Sequence, residues 1–370
     1  MILIGVPKEI KNHEYRVGLT TDSVAQLISE GNEVVVETKA GEGAGFLDED
    51  YIKVGAKISN SAEEIFKNAD MIVKVKEPQE SELPLLRKDQ ILYTYLHLAP
   101  DPEQTEGLIK SGCTAIAYET ITDHNGRLPL LAPMSEVAGR LAVQAGAHFL
   151  EKKSGGRGIL LGGTPGTSKA NVLILGGGYA GTNAAEIALG MGADVTILDK
   201  NNDRLKELHY MFQGKVKTLR STQPVIEELL KTADLVVSSV LIPGAYTPRL
   251  ISNKMLKTMK RGSVIVDISI DQGGSCECSR PTTHADPIFV EEGVIMYCVA
   301  NMPGAVPRTS AIALNNATLP FASMLAKHGI EALKNNKHLM DGLNVYQGKI
   351  TNKPVAEALN LPFIDPCTLM

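Results

Sequence analysis

The stretch Asn171-Val172-Leu173-Ile174-Leu175-Gly176-Gly177-Gly178-Tyr179-Ala180-Gly181, continued through Asp194-Val195-Thr196-Ile197-Leu198-Asp199, constrains this chain more than any other. An apolar strand, a glycine turn, a small-residue helix and a second strand ending in an acid form the layout of a dinucleotide-binding unit. Gly176 permits the tight turn, Gly178 lets the backbone approach a pyrophosphate, and Gly181 lets the helix press on the strand. The helix N-terminus offers unpaired N–H groups and a positive dipole to phosphates. Asp199 lies about 20 residues beyond the glycines, where a carboxylate accepts from both ribose hydroxyls and repels a 2′-phosphate. NAD is therefore expected rather than NADP.

Two domains are expected, because 370 residues exceed one core of roughly 100–200 residues. A hydrophobic content of 44% with 21% charged residues suits a globular protein, and a net charge of −5 gives no basic footprint for nucleic acid. No apolar run reaches the roughly 18 residues of a membrane span. The start Met1-Ile2-Leu3-Ile4-Gly5-Val6-Pro7-Lys8-Glu9 lacks the pattern of a secretory leader, so a cytoplasmic location is expected. Five scattered cysteines fit reduced thiols, and Cys276 and Cys278 have no second pair at zinc-like spacing, so no metal is expected.

Up to residue 117, apolar runs at 2–6, 33–37, 71–75, 91–95 and 114–117 read as strands. Between them, 21–30, 61–68 and 102–111 carry helix-start signals and helical spacing, and this alternation implies a parallel sheet. The glycine-rich segment 39–46 reads as a loop. A long helix is expected from a cap at Ser135 to Leu150, crossing into the second domain. Beyond Asp199, helices at 203–211 and 224–231 alternate with strands at 216–219, 235–238, 264–268 and 294–299. The loops 239–244 and 270–274 then fall at carboxyl ends of strands, where such sheets bind ligands. A second long helix is expected at 307–329, a strand–turn–strand at 345–351 and a short helix at 355–359. The expected architecture is α/β, two Rossmann-like domains with parallel sheets joined by long helices around a cleft. Residues 1–134 and 307–370 form a discontinuous substrate domain, and 135–306 form an inserted NAD-binding domain.

Further motifs run the length of the chain: Val6-Pro7-Lys8-Glu9 with Tyr15-Arg16-Val17, Val73-Lys74-Val75-Lys76-Glu77-Pro78, Tyr95-Leu96-His97-Leu98-Ala99, Ala132-Pro133-Met134-Ser135-Glu136, Asp267-Ile268-Ser269-Ile270-Asp271-Gln272-Gly273-Gly274 and Asn301-Met302-Pro303-Gly304-Ala305-Val306-Pro307. With the glycine turn, they make the chain resemble the NAD-dependent, hexameric alanine dehydrogenases, relatives of the NAD-binding part of proton-translocating transhydrogenase. The resemblance implies reversible oxidative deamination of L-alanine to pyruvate and ammonium by a cytoplasmic homohexamer. The alternative is the NAD(H)-binding component of such a transhydrogenase.

Residue by residue, the resemblance implies that Arg16 and Lys76 hold the substrate carboxylate, a task suited to a planar fork and a point charge. Lys74, which shares the face of Lys76 in a strand, is its rival. His97 and Asp271 are implied as the groups that move protons, with His284 and Asp267 as rivals. Asp271 reads as the end of a strand running through Ile270. The implied cofactor contacts are Ser135, Gly176, Gly178, Tyr179, Ala180, Gly181, Asp199, Arg204, Ser221, Val240, Leu241, Ile268, Asp271, Val299, Asn301 and Met302. Among these, Arg204 is expected to flank the adenine and Ser221 to bond on the adenine side.

Overall fold

The computed structural model describes residues 1–240 and 246–369. The chain falls into two units, Met1–Met134 with Gly304–Met370, and Ser135–Pro303.

The first unit opens with β1 (Leu3–Val6), α1 (Thr21–Ser29), β2 (Glu33–Glu37), α2 (Asp48–Lys53), β3 (Lys57–Ser59), α3 (Ala62–Asn68), β4 (Met71–Val73), β5 (Ile91–Thr94), α4 (Pro102–Ser111) and β6 (Thr114–Ala117). These six strands pair in parallel, and in order of appearance they lie 3-2-1-4-5-6 across the sheet. That is the doubly wound arrangement, with its switch point between β1 and β4. Strands covered by helices on both faces read as unbroken apolar runs, and Met71-Ile72-Val73 is wholly buried. Helix boundaries follow local chemistry. Ser61 accepts the N–H of Glu64 at the start of α3, and Asp101 accepts that of Gln104 ahead of Pro102 in α4.

The helix α5 (Ala132–Phe149) starts three residues before the expected cap at Ser135. Pro133 fits a first turn, where no N–H bond is lost, so Ala-Pro-Met is helical rather than a lead-in. The second unit then runs β7 (Asn171–Leu175), α6 (Tyr179–Gly190), β8 (Asp194–Asp199), α7 (Asn202–Met211), β9 (Lys217–Arg220), α8 (Gln223–Leu230), β10 (Leu235–Ser238), α9 (Asn253–Leu256), β11 (Val264–Asp267), β12 (Ile288–Glu291) and β13 (Val294–Tyr297). Leaving aside β12, its parallel strands also lie 3-2-1-4-5-6, with the switch point between β7 and β10. β12 pairs antiparallel with β13 at one edge.

The chain closes with α10 (Pro307–His328), α11 (Glu331–Asn335), α12 (Lys337–Met340), β14 (Leu343–Tyr346), β15 (Lys349–Ile350) and α13 (Lys353–Leu359). β14 adds to β6 in the antiparallel sense and β15 adds to β14, making an eight-stranded sheet in the first unit. The sheets are thus parallel in their bodies and antiparallel at these edges. α10 is tied into the first unit by Asn315, whose Oδ1 accepts the Thr20 N–H at 2.9 Å, and by Tyr93, whose hydroxyl donates to Thr318 O at 3.1 Å. Among the described residues, no helix is long and apolar enough to cross a membrane.

Candidate active site

In the first unit, the residues expected to meet substrate lie beyond the carboxyl ends of neighbouring strands. Arg16 stands in the segment after β1, Lys76 after β4 and His97 after β5. Arg16 is 2% exposed, so it is not a surface charge. Its Nε and Nη2 form a fork on Glu14 at 2.6 and 2.5 Å, and its Nη1 reaches Met134 Sδ at 3.0 Å. Burial opposes the guanidinium charge, but the bonds and charge of Glu14 outweigh it and hold Arg16 above its ordinary range.

Lys76 is half-buried. Burial and the charge of Arg16 push its ammonium below the ordinary lysine range. Its Nζ makes no hydrogen bond or ion pair with a described residue. Lys74, the rival, is 0% exposed and committed to Glu9 and Glu82 at 3.1 and 2.8 Å. Because β4 ends at Val73, the strand alternation that put both lysines on one face does not extend to them.

His97 is exposed and adopts the left-handed region, φ 50°. Its backbone N–H donates to Glu119 Oε1 at 2.6 Å, and its ring stacks on Tyr95 with centroids 5.7 Å apart and planes 7° apart. Tyr95 is fixed in turn by donating its hydroxyl to Leu130 O at 2.6 Å. Burial raises the Tyr95 phenol, opposed by the charge of Arg16, which also lowers Lys76. Arg16 thus neighbours both Lys76 and Tyr95, and His97 stacks on Tyr95. Glu14 and Glu119 were not anticipated from the sequence. The position of Glu119, just past a strand end in a parallel sheet, was the available signal.

In the second unit, the expected nucleotide contacts sit beyond six strand ends. Gly176–Gly181 follow β7, Asp199 closes β8, Ser221 follows β9, Val240 follows β10, Ile268–Asp271 follow β11, and Val299–Met302 follow β13. Ser135 lies on α5, and Leu241 falls outside the described residues. Gly176 has φ 97°. A Cβ on Gly181 would lie 1.8 Å from Gly176 O, whereas one on Gly178 would meet no atom of a described residue within 4 Å. Gly178 caps α6 without a side-chain bond, so no capping side chain satisfies the first-turn N–H groups there. This arrangement fits a pyrophosphate.

Asp199 Oδ2 accepts the Gly177 N–H at 2.8 Å and Oδ1 accepts that of Asn201 at 2.8 Å, while its carbonyl takes the Ser221 N–H. Arg204 is turned onto the glycine loop. Its Nε donates to Gly177 O at 2.7 Å and Nη2 to Thr182 Oγ1 at 2.8 Å, with Glu207 on Nη1. Asp271 is exposed and lies in a 3₁₀ turn, Ile268–Gln272, rather than at the end of a strand, because β11 stops at Asp267. Asp267 is fully buried and accepts from Ser269, Ser275 and Ser279, which makes it the organiser of this loop. His284 Nε2 lies 3.3 Å from Asn301 O, and Asn301 is itself left-handed at φ 57°.

The family models for the N-terminal and C-terminal domains of alanine dehydrogenase/PNT match residues 5–138 and 142–353. The chain belongs to the alanine dehydrogenase/PNT family. It is 54% identical over 368 residues to an alanine dehydrogenase of Halomonas elongata, covering 99% of each chain. Alanine dehydrogenase 2 of Staphylococcus aureus is likewise 54% identical, with 97% of each chain covered. A solved L-alanine dehydrogenase superposes with a TM-score of 0.95 at 49% identity, over 97% of this chain and 99% of that one. A transhydrogenase of Sinorhizobium meliloti shares the fold, with a TM-score of 0.82 at 24% identity over 95% of this chain and 99% of that one. The alanine dehydrogenase/PNT models reach both units, so the carboxyl-end residues of both sheets lie within the matched spans.

Proposed function

We propose that this protein catalyses the reversible NAD-dependent oxidative deamination of L-alanine to pyruvate and ammonium. It is an amino-acid dehydrogenase, and NAD is its cofactor. The observation that carries the reading is the half-buried Lys76 ammonium, which feels the Arg16 charge and, among the described residues, makes no hydrogen bond or ion pair. Arg16 is ion-paired within the chain, to Glu14, whereas Lys76 feels the charges of Glu77 and Glu14 without an ion pair, which suits the capture of a small carboxylate.

Arg16 and Lys76 fix the carboxylate of alanine or pyruvate. His97 takes and returns the proton at the amine or carbonyl, and its ring is held for that task by Tyr95 and its backbone by Glu119. Asp271 is assigned the second proton-handling role. Bound NAD supplies the hydride acceptor. The N-terminus of α6, the open face of Gly178 and the Asp199 carboxylate are the groups that would hold it. The units 1–134 with 307–370 and 135–306 are assigned to substrate and NAD respectively. A cytoplasmic homohexamer belongs to the same proposal, and light scattering tests the assembly.

The deciding experiment is NADH production by the purified protein with a panel of L-amino acids at alkaline pH. Alanine should give the strongest signal. No alanine-dependent signal beside strong activity on another amino acid would overturn the substrate.

A further inference from the structure

Two charged motif residues take no part in the chemistry above: Glu9, which ends Val6-Pro7-Lys8-Glu9, and Lys74. They meet at the switch point of the first sheet, Glu9 just after β1 and Lys74 directly after β4. The Lys74 side chain is 0% exposed and bonds Glu9 Oε2 at 3.1 Å and Glu82 Oε1 at 2.8 Å. Those two carboxylates are themselves only 2% and 5% exposed. Burying three charges is a costly way to fill a core, and an apolar replacement often serves stability as well. Their geometry gives the better reason.

Both carboxylates turn their remaining oxygens onto the backbone around Lys76. Glu9 Oε1 accepts the N–H of Val75 at 2.6 Å and of Lys76 at 3.3 Å, and Glu82 Oε2 accepts that of Gln79 at 2.8 Å. The carbonyls are held as well. Tyr118 donates its hydroxyl to Lys74 O and Thr94 donates to Lys76 O, each at 2.9 Å. Beyond the last residue of β4 the neighbouring strand still holds Lys74 N–H, through Tyr93 O at 3.2 Å, and Val75 O, through Tyr95 N–H at 3.3 Å, and these side chains hold the remaining backbone groups. Burial works against the Lys74 charge, but the two carboxylates outweigh it and hold the ammonium above its ordinary range, while burial raises the Glu9 carboxyl.

We propose that Glu9 and Lys74 are positioning residues for Lys76: the buried Glu9–Lys74–Glu82 cluster fixes the backbone from which Lys76 presents its ammonium, and so sets where the substrate carboxylate lies. The inference rests on the reading of Lys76 as a carboxylate ligand. In Glu9→Gln the side-chain shape is kept, yet the amide can satisfy only one side. Its oxygen toward Val75 puts an NH₂ against the Lys74 ammonium, and the opposite flip puts that NH₂ against two backbone N–H groups.

The test uses the full-length enzyme with Glu9→Gln, Lys74→Met, Lys74→Arg, Lys76→Ala and the Glu9→Gln/Lys76→Ala double variant. Measured are the KM for pyruvate, the dissociation constant of NADH and the melting temperature. Glu9→Gln should raise the pyruvate KM about tenfold, the equivalent of ~1.4 kcal/mol, with NADH binding unchanged. It should add nothing once Lys76 is alanine, since the two act through one contact. Lys74→Arg, which keeps the charge, should recover part of what Lys74→Met loses. If Lys76→Ala raises the pyruvate KM while Glu9→Gln does not, or if the two effects add, the positioning role is overturned and the Lys76 reading stands. If Lys76→Ala leaves the pyruvate KM unchanged, both fall together.

Discussion

The Glu119 carboxylate accepts the backbone N–H of His97 at 2.6 Å and that of Leu96 at 3.2 Å, and its Oε1 stands 3.8 Å from the His97 ring Nδ1. A non-glycine residue at φ 50° lies in a sparsely used region and persists where its surroundings hold it. Glu119→Ala releases that hold. The expected result is a loss of kcat on the order of 100-fold, as for a catalytic group displaced by about 1 Å. Glu119→Gln, which keeps an acceptor oxygen for the two N–H groups, should lose less. Steady-state assays of both variants check the order.

His97→Ala removes the ring proposed to handle protons, in the first unit. Turnover should fall at least ~100-fold, the usual contribution of a general acid–base. NADH binding, followed by fluorescence titration, should be unchanged. Near-normal turnover in this variant would remove His97 from the mechanism.

The glycine turn separates binding from folding. Gly178→Ala places a methyl where no atom of a described residue lies within 4 Å, so the melting temperature should hold while the NADH dissociation constant rises about tenfold. Gly181→Ala drives a methyl to 1.8 Å from Gly176 O and should cost about 1–3 kcal/mol of stability, or prevent folding. Equal effects of the two substitutions on melting would show that the open face of Gly178 is not reserved for a ligand.

Lys76 gives the pH dependence. Its pKa is lowered by burial and by Arg16, so as pH rises it loses its charge before an ordinary lysine does. A carboxylate needs the charged form. Pyruvate affinity for the enzyme–NADH complex should therefore be constant at lower pH and weaken as pH climbs through the alkaline range. Lys76→Arg stays protonated and should lose that inflection. Titrating pyruvate without ammonium, by NADH fluorescence, isolates binding from turnover.

Much of the fold is legible because its central strands are buried on both faces and written as apolar runs, as in Val264-Ile265-Val266. β3 and β12 escaped notice for the opposite reason. Both are edge strands: Lys57-Ile58-Ser59 has one apolar residue and gives no run, and the apolar Ile288-Phe289-Val290 of β12 is short and partly exposed. The antiparallel direction of β14 is a tertiary choice with no local signature. In the candidate site, Arg16 and His97 stand in distinctive motifs, but Glu14 and Glu119 resemble ordinary surface acids until folding buries or half-buries them. The separate fates of Lys74 and Lys76 depend on Glu9, 65 residues away from Lys74 in the chain, and local spacing does not carry that information.

β14 and β15 also bear on how the protein is made. The sheet begun by the first strand is completed only by a hairpin near the other end of the chain, after the whole nucleotide unit has been synthesised. Until that hairpin leaves the ribosome, the outer side of β6 is an unpaired, fully buried-type strand, Thr-Ala-Ile-Ala, exposed as a template for stray pairing. A nascent chain stalled or truncated before residue 343 would carry that open edge, so premature termination here produces a sticky half-sheet rather than a shortened enzyme.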